Sequence, residues 1–145
     1  MKLFGGIDPG QMGGISVLKE NGEPFDIPFS FCEKTLDDIA EEFIQLSKFD
    51  IFCTIENVHS MPRQGVASSF KFGMNTGILH GMLAALKIKS MPASPQKWQK
   101  EMGCLTRGDK NVSKAMAQRL WPKLKITHSI ADSLLIAEYC RRMNK

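Results

Sequence analysis

The alternation of apolar and polar stretches predicts three strands at the start of the chain. The first apolar run covers residues 3–8 and ends in Asp8. A Gly-rich turn separates it from a second run over residues 13–19, which is the pattern of a β-hairpin. A third strand is predicted over residues 24–31. Because the two prolines of this stretch cannot donate to a ladder, we expect the third strand at an edge of the sheet.

The remaining chain alternates between helical periodicity and short apolar runs. Residues 36–48 carry apolar side chains at helical spacing behind a capping box formed by Thr35 and Asp38. The continuous apolar run 51–56 is typical of a buried parallel strand, and it ends in Glu56. The later elements are a long helix over 67–86, a strand over 88–92, a helix containing Trp98, a helix over 111–120 and a helix over 130–142.

This order of elements indicates an α/β fold. Three antiparallel strands followed by strands that alternate with helices predict a mixed five-stranded sheet covered by helices. The 145 residues, 43% of them hydrophobic, suffice for one domain with a core, so we expect a single domain over 1–145. No run of 18 apolar residues predicts a membrane span, and the N-terminus shows no secretion signal. The four scattered cysteines fit free thiols in a reducing cytoplasm.

Basic residues are concentrated in one part of the chain. The net charge is +4, yet residues 94–125 alone carry +6 and the remainder carries −2. A charge run of this kind is most simply a solvated face. The asymmetry also points toward a polyanionic partner.

Two predicted strands end in carboxylates, and a third carboxylate opens the last helix. If the strands of Asp8 and Glu56 are parallel neighbours, both side chains project from the same edge of the sheet, where α/β proteins bind ligands. Asp132 would have to join them there. Three converging carboxylates repel one another, and Mg²⁺ or Mn²⁺ would relieve that repulsion. Two such ions roughly 4 Å apart can activate water for phosphodiester cleavage.

Each acidic residue also has an ordinary structural interpretation. Asp8, which precedes Pro-Gly, could accept backbone N–H groups in a turn. Glu56 could pair with a lysine or arginine. Asp132 could complete a capping box with Ser129 as N-cap. The three together are harder to explain in this way than any one of them alone.

The histidines divide into one candidate and two weaker ones. His128 lies four residues before Asp132, which is one helical turn if the helix begins early enough. It could then be a metal ligand or a general acid/base, although a lone histidine is more often structural. His80 lies within the predicted glycine-containing helix and is expected to pack. His59 follows the strand of Glu56 and could contact substrate.

These motifs, taken in order, resemble the RuvC family of Holliday junction resolvases, which has the RNase H-like fold. The likeness is greatest to its phage and plastid branch and spans nearly the whole chain. The short opening motif alone is not specific, because sugar-kinase-type ATPases also begin with an acid in a Gly-rich hairpin. The motifs are Gly6-Ile7-Asp8-Pro9-Gly10 with Gly13-Gly14, the strand ending in Glu56, the Pro62 loop, the Phe70–Gly81 helix, Pro95-Gln96-Lys97-Trp98, Lys110 with Ser113-Lys114, Leu120-Trp121-Pro122, and His128 before Ala131-Asp132.

The resemblance implies a catalytic site. Asp8, Glu56 and Asp132 would hold two divalent metal ions, Mg²⁺ or Mn²⁺. Bacterial RuvC has a further acid where Ser129 stands in this chain, and His128 is the expected fourth ligand instead. Lys110 resembles the family's basic residue near the scissile phosphate, although a solvated lysine at the start of a helix is the competing interpretation.

The resemblance also implies an activity and partners. We expect a homodimeric DNA endonuclease that resolves four-way junctions by paired nicks, leaving 5′-phosphate and 3′-hydroxyl ends. The Gly-rich helix 67–86 would form part of the dimer interface, or would pack on the sheet. A phage-encoded protein acting in the cytoplasm of a bacterial host is expected. The predicted DNA-binding residues are His59, Arg63, Lys97, Lys100, Arg107, Lys110 and Lys114. Met61 and Phe70 are further candidates near the crossover, although a position in the core is the favoured expectation for Phe70.

Three rival functions are weighed against this expectation. The same scaffold supports nucleases that act on RNA or on other branched DNA. A non-catalytic nucleic-acid-binding module is a second rival, and the three intact acids argue against it. An ATPase of the sugar-kinase type needs a second, repeated domain, for which 145 residues are too few.

Overall fold

The computed structural model describes residues 1–57 and 65–145. Within them, no helix is both long and apolar enough to span a membrane. In this described part of the chain, five strands and five helices follow one another in the predicted order. They are β1 (Lys2–Asp8), β2 (Gly14–Leu18), β3 (Phe29–Ser30), α1 (Leu36–Leu46), β4 (Asp50–Glu56), α2 (Val66–Ala85), β5 (Lys89–Ala93), α3 (Pro95–Glu101), α4 (Lys110–Leu120) and α5 (His128–Asn144).

The strands form one mixed sheet in the order β3-β2-β1-β4-β5. β2 runs antiparallel to both β1 and β3, whereas β4 runs parallel to both β1 and β5. The predicted mixed five-stranded sheet is therefore confirmed. Ile7 in the central strand β1 is paired with Ile15 on one side and Ile55 on the other. This register places the ends of β1 and β4 side by side, as a shared site at the sheet edge requires.

The predicted third strand over residues 24–31 was wrong in length. Only Phe29 and Ser30 pair with β2, and an isolated bridge joins Pro24 to Leu18. Between these two points the Asp26 carboxylate accepts a hydrogen bond from the next backbone N–H at 2.7 Å. The two prolines of the segment lack N–H groups, so a continuous ladder cannot form. The predicted edge position of the strand is confirmed.

Helices cover both faces of the sheet. On one face α5 crosses β1 and β2 and packs with α3 and α4 in a core that includes Trp98 and Leu135. On the other face α1 and α2 cover a core that includes Phe43 and Leu83. Gly6 lets α5 approach β1 closely, because a Cβ at that position would overlap backbone atoms of the helix. This close approach holds the helix of Asp132 against the strand of Asp8.

The glycines of α2 do not face the sheet. A Cβ added at Gly73, Gly77 or Gly81 would meet no atom within 4 Å among the described residues. Only Leu79 and Leu83 of this helix are buried. The helix therefore packs on the sheet through its leucines, as one of the two interpretations predicted, and its glycine face takes no part in this contact.

A cluster of ion pairs around the buried Glu138 connects the end of α5 with the turn after β2. The Glu138 carboxylate, 5% exposed, accepts hydrogen bonds from the guanidinium groups of Arg141 at 2.8 Å and Arg142 at 2.9 Å. Arg141 also donates to the backbone carbonyl of Glu20 at 2.9 Å. Burial opposes ionisation of Glu138, but the two guanidinium groups outweigh it, so the pKa of Glu138 is lowered.

Glu138→Gln is expected to destabilise the protein by about 1–2 kcal/mol at pH 7, because two guanidinium groups lose the counter-charge of a buried carboxylate. The lowered pKa means that the carboxylate stabilises the fold above the ordinary glutamate pKa, and that this contribution disappears as the pH falls through the folded-state value. Urea unfolding at pH 7 and at about pH 3 measures both effects. Glu41→Gln, on the exposed face of α1, is the control. Equal stability of the Glu138 variant and the wild type at pH 7 would contradict the prediction.

Candidate active site

A cleft of about 450 Å³ opens where β1 and β4 end. Its walls are the turn after β1, the end of β4, the start of α3, the loop before α4, and the facing sides of α2, α4 and α5. Asp8, Glu56 and Asp132 all line it, and Lys110 and Ser113 lie opposite them on α4. The structure thus brings four of the five predicted catalytic residues to one place.

Asp8 is held by the hairpin that follows it. It is the last residue of β1 and is paired with Gly14 across the hairpin. The turn is closed by a hydrogen bond from the N–H of Gly13 to the carbonyl of Gly10 at 3.2 Å. A Cβ on Gly13 would overlap the carbonyl oxygen of Asp8. Glycine is needed there so that the turn can fold back tightly and aim the carboxylate into the cleft.

Glu56 is fixed by a residue whose role the sequence did not reveal. The indole N–H of Trp98 donates to Oε2 of Glu56 at 2.8 Å, and both residues are buried. Glu56 therefore pairs with neither lysine nor arginine among the described residues, contrary to the ordinary interpretation of this residue. A buried tryptophan usually needs a hydrogen-bond acceptor, and this was the signal in the sequence that could have pointed to Trp98. The acceptor lies 42 residues away in sequence, so no local pattern identifies it.

Asp132 lies in the second turn of α5. The helix begins at His128 with Thr127 as N-cap, two residues earlier than predicted. Ser129 is therefore inside the first turn, and the capping-box interpretation of Asp132 is wrong. Instead, Asp132 faces the cleft, where the hydroxyl of Ser113 from α4 interacts with its carboxylate. From the sequence alone, Ser113 stands out only as part of a motif of the resemblance, without a role in the site.

The surroundings of the three carboxylates disfavour their ionisation. Burial raises the pKa of Asp8 well above its ordinary value, and the charges of Glu56 and Asp132 raise it further. Burial likewise raises the pKa values of Glu56 and Asp132, against the opposing effects of Trp98 and Ser113 respectively. The ammonium group of Lys110 lowers all three pKa values. One lysine thus offsets only part of the unfavourable environment of one buried and two half-buried acids.

His128 lies at the edge of this arrangement. It is the first residue of α5, one turn before Asp132, and it is exposed. Its charge lowers the pKa of Asp132, so the two side chains interact electrostatically. It is not among the residues that line the cleft. The structure therefore brings His128 near Asp132 without placing it inside the site.

The donor set matches a hard divalent cation in its chemistry. Asp8, Glu56 and Asp132 supply carboxylate oxygens, which Mg²⁺ and Mn²⁺ prefer, and a cation would favour the ionised forms of these carboxylates, whose pKa values burial raises. Across residues 1–57 and 65–145, no group of three or more His, Cys, Asp or Glu side chains is arranged so that it could hold an ion. The three carboxylates thus fit such an ion by donor type and charge, and they would have to move closer together to bind it.

Asp8→Asn is expected to raise the melting temperature of the metal-free protein by roughly 3–6 °C at pH 8, because it removes one of three repelling acids. The raised pKa means that ionisation of Asp8 costs stability only above the ordinary aspartate pKa. The increase in melting temperature should therefore become smaller as the pH falls toward about 4. Melting curves in EDTA at both pH values measure it. A lower melting temperature of the variant at pH 8 would show that Asp8 is a structural turn residue.

The predicted DNA-binding residues lie around the same cleft or outside the described residues. Lys97 and Lys100 are exposed on α3, and Lys114 is half-buried on α4, one turn after Lys110. Arg107 lies in the loop beside the cleft in a left-handed conformation with φ of 48°. None of these is ion-paired within the described part of the chain. His59, Met61 and Arg63 lie outside the described residues.

Comparisons with known proteins identify the fold of this chain. Neither the protein-family models nor the curated proteins contain a match to the chain. Among solved structures, the chain is similar to T. thermophilus RuvC in complex with a Holliday junction substrate, with 17% identity and a TM-score of 0.66 over 98% of this chain and 96% of that one. A second structure of Thermus thermophilus RuvC matches with 15% identity and a TM-score of 0.61 over 97% of this chain and 96% of that one. The chain therefore has the RNase H-like fold of RuvC, as its sequence predicted.

Proposed function

We propose that this protein is a metal-dependent endonuclease that resolves four-way DNA junctions by paired nicks. The observation that carries the proposal is the convergence of Asp8, Glu56 and Asp132 on one cleft, with pKa values raised by burial and in part by mutual repulsion. A stable fold has little reason to gather buried acids that repel one another unless they bind a cation. The likeness to RuvC in complex with a Holliday junction substrate supports the choice of substrate.

The residues of the cleft would have different roles in the reaction. Asp8, Glu56 and Asp132 would hold two divalent ions, Mg²⁺ or Mn²⁺, which supply Lewis-acid activation of water and of the phosphodiester. Lys110, exposed at the start of α4 and lining the same cleft, offers its ammonium group to the scissile phosphate. In-line attack of water on phosphorus would break the P–O3′ bond, which leaves a 3′-hydroxyl on one fragment and a 5′-phosphate on the other.

Basic residues outside the cleft would neutralise the neighbouring phosphates. Lys97 and Lys100 lie on α3, whose first residue lines the cleft, and Arg107 precedes Gly108 of its wall. Each phosphate contact releases condensed counterions, so the affinity should fall steeply with salt. His59, Arg63 and Lys114 are proposed as further contacts because of the resemblance to the family.

We also propose that the protein acts as a homodimer, since two symmetric nicks need two sites. No described residue covers the face of α2 that carries Gly73, Gly77 and Gly81, and Val66 and Phe70 beside it are 90% and 73% exposed. Exposed apolar and small residues together are typical of a surface that another protein covers. Light scattering of the purified protein measures the oligomeric state, and a monomer at micromolar concentration would contradict this part of the proposal. A phage origin and a cytoplasmic location stay predictions.

The test is cleavage of a synthetic four-way junction labelled on each strand. We expect paired nicks at symmetric positions with Mg²⁺ or Mn²⁺, and none in EDTA. A linear duplex, a fork and an RNA–DNA hybrid of the same sequence are the comparison substrates. Cleavage of the hybrid or the fork in preference to the junction would assign the same chemistry to a different substrate. Binding without cleavage under any metal would make the protein a non-catalytic nucleic-acid-binding module.

His128→Ala is expected to lower the nicking rate by about ten- to a hundred-fold if the imidazole assists proton transfer or metal binding beside Asp132. The exposed position of His128 makes complete loss of activity unexpected. Single-turnover rates with Mg²⁺ and with Mn²⁺ measure the effect, and His80→Ala, on the exposed side of α2, is the control. A wild-type rate with both metals would remove His128 from the site.

A further inference from the structure

The indole of Trp98, a core side chain, is hydrogen-bonded directly to Glu56, a carboxylate of the cleft. The donor is the indole Nε1 and the acceptor is Oε2, at 2.8 Å. Trp98 is fully buried, with 0% of its surface exposed, and Glu56 is 8% exposed. The hydrogen bond therefore lies at the boundary between the core and the site.

The position of Trp98 is fixed by the chain on both sides of it. Ala93, the last residue of β5, is paired with Glu56 in the parallel ladder. Immediately afterwards Ser94 caps α3 by accepting a hydrogen bond from the N–H of Lys97 at 3.2 Å, with Pro95 in the first turn. α3 thus begins beside Glu56, and its first turn places Trp98 within hydrogen-bond distance of the Glu56 carboxylate.

Packing then leaves the indole little freedom. Trp98 belongs to the core cluster that includes Met102, the C-cap residue of α3, and Leu135 on α5. The next residue, Gln99, accepts a hydrogen bond from the N–H of Thr106 at 3.3 Å and so anchors the loop before α4. A donor held in this way presents its N–H in a single direction.

We propose that Trp98 is a positioning residue for Glu56, which holds this carboxylate in the orientation that binds a divalent cation. The proposal rests on the metal dependence proposed above. An indole N–H is neutral, so it orients the carboxylate without cancelling the charge that attracts the ion. It occupies one lone pair of Oε2, and a carboxylate has about four such sites, so acceptor capacity remains for the ion. A lysine in the same place would compete with the ion instead.

The test compares two conservative substitutions. Trp98→Phe keeps an aromatic ring in the core, and it removes the N–H donor together with part of the ring volume. Trp121→Phe is the matched control, because Trp121 also donates its indole N–H, at 3.0 Å, but to the backbone carbonyl of Gly22 and away from the cleft. Free Mn²⁺ is measured by electron paramagnetic resonance during titration of each protein, so that affinity is obtained without any turnover.

We expect Trp98→Phe to weaken Mn²⁺ binding by about ten-fold, the lower end of the effect of losing a residue that orients a metal ligand. Trp121→Phe should bind Mn²⁺ as the wild type does, with both variants showing the wild-type circular dichroism. Equal Mn²⁺ affinity of Trp98→Phe and the wild type would overturn the inference while leaving the proposed function intact. Absence of Mn²⁺ binding by the wild type, together with absence of junction cleavage, would overturn both.

A second measurement keeps the inference testable if Trp98→Phe does not fold. The chain has two tryptophans, so the Trp121→Phe protein reports fluorescence from Trp98 alone. Mg²⁺, which does not quench, should change that emission as it binds beside the hydrogen-bonded carboxylate, and Glu56→Gln in the same background should abolish the response. An emission that stays constant while Mg²⁺ binds would overturn the inference.

Discussion

Asp8→Asn is expected to bind a four-way junction as tightly as the wild type, or more tightly, and to nick it at least a thousand-fold more slowly. The rate falls because the substitution removes a charge that both the ions and the transition state require. Binding persists because it depends on lysines and arginines outside the carboxylates, and because the variant repels phosphate less. Electrophoretic mobility shifts in EDTA give the affinity, and single-turnover cleavage gives the rate.

Asp50→Asn provides the matched control for this experiment. Asp50 is an exposed aspartate at the opposite end of the parallel strands, where it opens β4. It should keep both binding and nicking. Loss of junction binding as well as cleavage in Asp8→Asn would show that Asp8 mainly maintains the hairpin. Nicking by Asp8→Asn at the wild-type rate would remove the carboxylate from the mechanism.

Gly6→Ala is expected to destabilise the protein by about 3 kcal/mol or more, which corresponds to a fall of about 10 °C in melting temperature. The added Cβ would overlap the backbone of Ser133 and Ala137 in α5. Backbone atoms in the middle of a packed helix cannot move aside as the end of a side chain can, so the whole helix must shift. Because α5 carries Asp132 and β1 carries Asp8, the shift should also separate two carboxylates of the cleft and lower the nicking rate.

The neighbouring glycine of the same strand is the control. A Cβ on Gly5 would lie 2.6 Å from the sulfur of Cys53, a side-chain atom that can rotate away. Gly5→Ala should therefore cost clearly less stability than Gly6→Ala, and it should leave α5 in place. Thermal melts and urea titrations of the two variants test this difference. Equal stability of the two variants would contradict a close contact between α5 and β1.

Local pattern was sufficient for most of the architecture. The capping box of Thr35 and Asp38 is present as predicted, with the hydroxyl and the carboxylate each accepting a backbone N–H. The strands of Asp8 and Glu56 end at the residues where the apolar runs end. Such features depend on neighbours a few residues apart, which is the range over which hydrophobic periodicity and capping act.

The start of α5 shows where local pattern stopped being sufficient. Thr127 and Ser129 are both good N-cap residues, so the sequence allows the helix to begin at either place. In the structure Thr127 caps the helix and its hydroxyl lies 3.0 Å from that of Ser129. Which of the two caps the helix is decided by how α5 docks on β1 and β2, a contact between residues more than a hundred positions apart.

The sequence by itself determined the order of the strands along the chain, the mixed character of the sheet and the placement of Asp8 and Glu56 at strand ends. The tertiary structure decided that Asp132 reaches the same cleft, that Ser113 and Lys110 face it, and that Trp98 orients Glu56. It also left the glycine face of α2 open and His128 at the margin of the site. The physical reason is that strand ends follow from short-range periodicity, whereas the partners of a buried carboxylate are chosen by packing between elements that are distant in sequence.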